Sequence, residues 1–334
     1  MLTRIYKVAL VGCGVISKNH LKALTENEQV EVVAICDVKL DRAEKRKKEF
    51  NLQCPVYESY DELLEKEELN AVHICTPHYL HVPMSIAALK KNINVFLEKP
   101  TATTESEFEA LLKAERESTA HVCICFQNRY NPSTVMAKKL AEEDGGAISA
   151  SGCLFWQRTN EYYTGSDWRG RYATEGGGVM INQAIHTIDL ICQFLGNPIA
   201  ITATTANHAH KGVIEVEDTC EGLIEFEGGK QGNFFATTAS LGPDYTMIRI
   251  RTPKRIITIN PPRVYVDGKE VEDPTLIPDF VGKECYGNGH KYLINKFYEA
   301  LTNGTDVPVP LPRSQDALRI LLGAYRSHDQ RVEI

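Results

Sequence analysis

Ile5-Tyr6-Lys7-Val8-Ala9-Leu10-Val11-Gly12-Cys13-Gly14-Val15-Ile16-Ser17 is an apolar, β-branched run that stops at a glycine pair and opens a helical pattern. Strand, glycine turn and helix in that order begin a parallel α/β sheet, and the helix start offers unpaired amides with the positive end of a dipole. Gly12 permits the tight turn, Gly14 lets the backbone approach a pyrophosphate, and Val15 and Ile16 carry the chain past it. The third small position of the fingerprint is Ser17, which predicts looser packing of helix on strand.

Alone, a Gly-x-Gly pair reads equally well as a structural turn. Asp37 shifts the balance, because it ends the next apolar run, Val30 to Cys36, about 25 residues on, where an acid hydrogen-bonds a ribose 2'-hydroxyl and repels a 2'-phosphate. Its competing role is a cap for the helix that follows. NAD is therefore expected, with Lys39 and Arg42 near enough to leave NADP open.

Working outward, apolar runs at Ala71 to Cys75, Ile93 to Leu97 and His121 to Phe126 alternate with helical patterns over 16–24, 41–50, 61–67, 82–90 and 105–117. That alternation predicts a doubly wound parallel sheet covered on both faces, a dinucleotide-binding domain over 1–125. The pattern then changes. Over 126–334 the expectation is a second α/β domain for substrate binding and oligomerisation, built on a large, mostly antiparallel open sheet, because successive strands between 199 and 266 are joined by short turns. Helices are expected over 133–143, 179–195, 291–301 and 314–326, and a strand over 147–156.

A chain of 334 residues is long enough for two domains. The net charge of -7 and the lack of any basic block argue against a nucleic-acid partner. The first apolar stretch is too short for a secretory signal, and no run approaches the roughly 18 residues of a membrane helix. Ten cysteines without Cys-x-x-Cys spacing read as buried thiols of a cytoplasmic protein, not as disulfides or a metal site.

Chemistry concentrates at the carboxyl ends of the strands, where open α/β sheets bind ligands. Thr76-Pro77-His78-Tyr79-Leu80-His81 turns the chain at that edge, with Thr76, Pro77 and His81 as cofactor contacts and no carboxylate at metal-ligand spacing. Glu98-Lys99-Pro100 ends the Ile93 to Leu97 run and sets one ammonium group at the same edge, with Glu98 as its orienting neighbour. Later, Gly176-Gly177-Gly178 precedes a helix on which Asn182 and His186, four apart, share a face. A histidine there has a suitable pKa for proton transfer beside a departing hydride, and Lys99 supplies a second group at the reacting oxygen. Arg129, Tyr163, Trp168 and Arg169, together with Tyr130, Trp156 and Arg158, mix aromatic faces with guanidinium groups. That composition suits a sugar ring bearing a carboxylate or phosphate, and equally an oligomer interface. Tyr286-Gly287-Asn288-Gly289-His290 reads as a helix cap.

Gly12-x-Gly14, Thr76-Pro77, Glu98-Lys99-Pro100 and Gly176-Gly177-Gly178…His186-x-x-Asp189 together resemble the Gfo/Idh/MocA oxidoreductases, the glucose-fructose oxidoreductase and inositol dehydrogenase family. The resemblance runs the whole chain. It implies a Rossmann domain followed by an α/β domain with an open sheet, NAD or NADP, and sugar-like polyol substrates; the exposed face of that open sheet is expected to be buried in a homodimer or homotetramer. It also implies Lys99 and His186 as the catalytic pair. Many members have aspartate where this chain has Asn182, which cannot act as a base. Tyr162-Tyr163, Trp168-Arg169-Gly170 and Asn182-Gln183-Ala184-Ile185-His186 are similar to UDP-N-acetylhexosaminuronate 3-dehydrogenases. An inositol or free-polyol 2-dehydrogenase is the alternative enzyme, and a non-catalytic NAD(H) sensor the alternative of another class.

Overall fold

The structure is a computed structural model, and it describes residues 5–276 and 287–334. The chain divides into two compact units, Met1–Gln127 with His290–Ser314, and Asn128–Gly289 with Gln315–Ile334.

In the first unit, β1 (Tyr6–Val11), β2 (Val30–Cys36), β3 (Val56–Tyr57), β4 (Ala71–Ile74), β5 (Asn94–Leu97) and β6 (Val122–Ile124) form one sheet in the order β3-β2-β1-β4-β5-β6. All its pairings are parallel. The order reverses between β1 and β4, so the crevice at their carboxyl ends lies beside Gly12 and Thr76. The connecting helices are α1 (Ser17–Thr25), α2 (Leu40–Glu49), α3 (Tyr60–Lys66), α4 (His81–Leu89) and α5 (Glu105–Arg116). Side-chain oxygens of Ser59 and Thr104 cap α3 and α5.

In the second unit, α6 (Pro132–Glu143), β7 (Ser149–Phe155), α7 (Asn160–Thr164), α8 (Tyr172–Glu175) and α9 (Ile185–Leu195) lead into β8 (Pro198–Ala206), β9 (Thr219–Phe226), β10 (Gln231–Thr237), β11 (Tyr245–Arg251), β12 (Ile256–Asn260), β13 (Arg263–Val266) and β14 (Lys269–Glu270). A helix, α10 (Gly289–Asn303), follows, then α11 (Gln315–Ser327) and β15 (Val332–Glu333). The nine strands run in the order β14-β13-β12-β11-β7-β10-β9-β8-β15. Only β7 and β10 pair in parallel among them. Helix α9 packs on β7, β10 and β11, and α11 on β8. The opposite face carries Phe155 against both Phe235 and Tyr245, and Leu223, 63% exposed.

One boundary differs from the sequence expectation, which put everything after residue 125 in the second domain. The chain returns: residues 290–314 belong with the first unit. The apolar face of α10 decides this, with Leu293, Ile294, Phe297 and Tyr298 fully buried. Phe297 lies 5.4 Å from Phe96, and Tyr298 the same distance from Tyr6. Amphipathicity shows that a helix buries a face, not which sheet receives it. Tyr286 of the expected cap lies outside the described residues, and Gly289 donates its N–H to Asn131 Oδ1 at 2.8 Å.

Candidate functional site

The glycine loop is built to stay open on one side. Gly12 has φ +90°, and a Cβ there would lie 2.6 Å from the Cys75 backbone, so no other residue fits. A Cβ on Gly14 would meet nothing within 4 Å among the described residues. Asp37 pins the loop from the end of β2: Cys13 N–H donates to Oδ2 at 2.7 Å and Lys39 N–H to Oδ1 at 2.8 Å. Ser17, where looser packing of helix on strand was expected, is fully buried, and its hydroxyl donates to the Gly14 carbonyl at 2.6 Å. Arg46, buried on α2, then donates to Ser17 Oγ and to the Gly14 carbonyl, both at 2.9 Å. Sequence reading missed Arg46, whose surroundings in a lysine-rich helix gave it no distinction. Val15 is 80% exposed beside this loop.

Across the crevice, the hydroxyls of Thr76 and Thr101 are buried without a hydrogen-bond partner among the described residues. Buried polar atoms are rarely left so, unless a ligand completes them. An open glycine cradle and an orphaned hydroxyl at the switch point fit the dinucleotide expected from the sequence. Pro77 starts the helical turn His78–Leu80 that follows. His81, expected to touch the cofactor, is 1% exposed, with Nδ1 2.8 Å from the Pro100 carbonyl and Nε2 3.0 Å from that of Thr76. Its ring straps two turns together, so it serves the fold of this edge.

Glu98 likewise turns inward, not to the cofactor. His20 Nε2 lies 2.9 Å and His290 Nε2 3.6 Å from its Oε1, and Lys99 N–H donates to its Oε2 at 3.3 Å. Burial alone would raise this carboxyl, but the imidazole N–H groups outweigh it and hold Glu98 well below the usual carboxylate range. With neutral imidazoles, His20 donates to Glu98 and accepts from His73 Nδ1 at 2.9 Å, and His73 accepts the Tyr298 hydroxyl at 2.8 Å. Burial keeps His73 neutral. His20, Glu98, Cys125 and His290 each bring one donor atom within 4.8 Å of the others, the donor types of a metal set. The pairing of Glu98 with two imidazoles accounts for the grouping. Lys99 is half-buried at this edge, and the Lys99–Pro100 bond is cis.

In the second unit the three glycines are anchored by an acid the sequence reading did not single out. Glu217 accepts the N–H groups of Gly178 and Met180 and the Tyr325 hydroxyl, each at 3.0 Å. A Cβ on Gly178 would lie 1.8 Å from the Glu217 carbonyl oxygen, which explains the glycine. The helix then makes a π turn at Met180–Ala184 before α9. Asn182 and His186 are both half-buried along it. Asn182 Nδ2 donates to Glu175 Oε1 at 2.5 Å, and His186 lines a pocket with Asn128, Trp156, Gln183 and Thr246.

Arg158 and Arg169 form a ladder with aromatic rings. Arg158 lies 4.8 Å from the Trp156 ring and 4.9 Å from that of Tyr162; Arg169 lies 4.4 Å from Tyr162 and 4.8 Å from Trp168. The Nε atoms of both arginines are buried without a hydrogen-bond partner among the described residues. Two other residues expected to face substrate do not. Arg129 makes a two-pronged ion pair with Asp189, Nε to Oδ2 at 2.9 Å and Nη2 to Oδ1 at 2.5 Å. Tyr163 is 5% exposed, packs on Ile214 and Val216, and bonds the Thr238 hydroxyl at 3.1 Å. Composition alone could not separate arginines and tyrosines that face a ligand from those that face the core.

Residues 6–126 match the oxidoreductase family model described as an NAD-binding Rossmann fold, and residues 134–258 match the C-terminal domain model of the same family. Inositol 2-dehydrogenase of Salmonella typhimurium is 32% identical over 144 residues, 42% of this chain and 42% of the relative. The chain thus spans less than half the length of the curated relatives of that name from Salmonella. Over its whole length it resembles the WlbA dehydrogenase of Bordetella pertussis, solved with NADH and UDP-GlcNAcA: 26% identity, TM-score 0.88, covering 100% of this chain and 99% of the other. The corresponding dehydrogenase of Chromobacterium violaceum, solved with the same two ligands, is also 26% identical, with a TM-score of 0.87 over 100% of this chain and 97% of its own. The chain belongs to the Gfo/Idh/MocA oxidoreductase family, with its NAD-binding Rossmann domain followed by its C-terminal domain.

Proposed function

We propose that the protein is an NAD(H)-dependent dehydrogenase acting on a ring hydroxyl or keto carbon of a nucleotide-linked sugar acid. The observation that carries the substrate class is the arginine–aromatic ladder. Guanidinium planes held between rings, with buried Nε donors unspent, suit a carboxylate or diphosphate attached to a sugar. The full-length likeness to a dehydrogenase solved with NADH and UDP-GlcNAcA supports the same class.

Gly12, Gly14, Val15, Ile16, Asp37, Thr76 and Pro77 would hold the dinucleotide, with Asp37 at the ribose. When bound, the nicotinamide supplies the hydride acceptor or donor. Lys99 hydrogen-bonds the reacting oxygen, His186 takes or returns its proton, and Asn182 orients the substrate at that same oxygen. Trp168 and Arg169 grip the rest of the substrate. The apolar outer face around Leu223, Phe155 and Tyr245 is covered by a second copy, a homo-oligomer that light scattering would detect.

The test is NADH formation across UDP-sugar acids, neutral UDP-sugars, sugar phosphates, aldoses and inositol. Turnover confined to the acidic nucleotide sugars, lost in Lys99→Ala with NADH binding retained, is the expected result. Preference for inositol would overturn the substrate class. Tight NADH binding with silence across the panel would favour a sensor.

A further inference from the structure

Glu175 ends α8, and Gly176 follows with φ +85°, turning the carboxylate back into the unit, where it is 1% exposed. Its Oε2 accepts from Gly170 N–H at 2.6 Å, and its Oε1 from Asn182 Nδ2 at 2.5 Å. Asn182 stands one turn before His186 on the same helical stretch.

We propose that Glu175 is a positioning residue for the reaction: it sets which end of the Asn182 amide is presented to the substrate. An amide carries an acceptor at one end and a donor at the other. An ionised carboxylate only accepts, so it draws the amide nitrogen toward itself and turns Oδ1 the opposite way, presenting an acceptor that reads a hydroxyl. A protonated Glu175 has an O–H to donate, and the amide can turn over to present its nitrogen, which suits a ketone. The alcohol and the ketone of one dehydrogenase reaction differ in that respect, so Glu175 matches the amide to one of them.

Geometry is joined by electrostatics. Burial, opposed by the two N–H donors and by the charge of Arg169 and reinforced by Glu217, brings the Glu175 carboxyl up to about 7. Tyr163 on α7 also faces this charge, but burial pushes its hydroxyl far above neutrality, so it stays protonated.

The catalytic consequence rests on the dehydrogenase reading; the pairing itself does not, and the two are tested separately. Infrared titration of the full-length protein, with the carboxylic acid C=O band as probe, should show a band that titrates near neutrality, disappears in Glu175→Gln, and shifts to higher pH in Asn182→Ala. Persistence of the band in Glu175→Gln, or an unmoved midpoint in Asn182→Ala, would overturn the pairing whatever the substrate is. On a substrate from the panel, Glu175→Gln should raise KM for the alcohol about five-fold with kcat within about two-fold, the effect of one orienting hydrogen bond. It should also abolish the acid limb of kcat/KM near neutrality, and Glu175→Asp should restore that limb. An equal loss in kcat with an unchanged pH profile would mark Glu175 as structural only.

Discussion

Glu98 and Glu175 are the same residue, both buried in their respective units, and their carboxyls are shifted in opposite directions. Glu98 meets N–H groups of two imidazoles, one at 2.9 Å and one at 3.6 Å, and stays ionised. Glu175 meets one backbone amide and one side-chain amide, with another buried acid, Glu217, close enough to repel it. Burial costs both carboxylates their hydration; what differs is whether donors that can carry positive charge replace it. The difference separates an anchor from an adjustable group. Glu98 accepts the Lys99 backbone N–H as a charged group, and Glu175 changes state near neutrality.

The largest effect should come from breaking the anchor. Glu98→Ala removes the acceptor of the His20 N–H and the charge that faces His290 at 3.6 Å, and leaves the buried His20 imidazole with its N–H unmatched. Removing the charged acceptor of a buried N–H donor costs about 1.5 to 3 kcal/mol. The lost stability should appear in peptides of α1, β5 and α10 by hydrogen exchange of the full chain, with peptides of β8 to β10 unmoved. A variant as protected as the wild type in those segments would mean that the network is ornamental to the fold.

The pH dependences of the two acids should oppose each other. Glu98 binds its proton less tightly folded than unfolded, so its contribution is present above the ordinary carboxylate range and is lost as pH falls from that range through the folded value, well below it. Glu175 binds its proton more tightly folded, so its contribution is full below about pH 4.5 and is lost as pH rises toward about 7. A rise from 4.5 to about 7 corresponds to roughly 3 kcal/mol, at about 1.4 kcal/mol per tenfold change in proton affinity. Exchange protection of the 160–186 segment should therefore fall between pH 5 and pH 8 in the wild type. In Glu175→Gln that fall should shrink, leaving the contribution of Glu217, which burial also raises. A segment equally protected at both pH values in the wild type would remove the distinction between the two sites.

The anchor and the adjustable pair were hidden from the sequence for a common reason. Everything carried by short-range pattern was readable: the β1 turn with Gly12, the run into Glu98-Lys99-Pro100, and the helix from Val179 through His186 after its glycines. Hydrogen bonds between distant residues leave no such pattern. His20 reaches Glu98 across 78 positions, His73 reaches Tyr298 across 225, and Glu217 reaches Gly178 across 39. The errors share that origin. Arg129 and Tyr163 have the composition of a sugar pocket, but their partners Asp189 and Thr238 lie 60 and 75 residues away and turn them inward. Ser17 read as a packing defect because its bond to the Gly14 carbonyl runs backward across the loop. Glu175 alone left a trace, an acid directly before three glycines, which spacing by itself could not tell from a solvated charge.

A third kind of buried polar group tests how far the contrast extends. The Thr76 hydroxyl has neither the imidazoles of Glu98 nor the amides of Glu175; it is buried with no hydrogen-bond partner among the described residues. Thr76→Val keeps the shape and replaces the hydroxyl by a methyl group. In the ligand-free protein an unmatched buried hydroxyl is a cost, so the variant should melt at the same temperature as the wild type or slightly higher. If that hydroxyl is held for the dinucleotide, NADH should bind about five-fold more weakly to the variant, the worth of one hydrogen bond of about 1 kcal/mol. Fluorescence titration of NADH and a thermal melt together decide it. Lower stability with unchanged NADH affinity would show that Thr76 already has a partner within the protein, and that its hydroxyl is not held in reserve for a ligand.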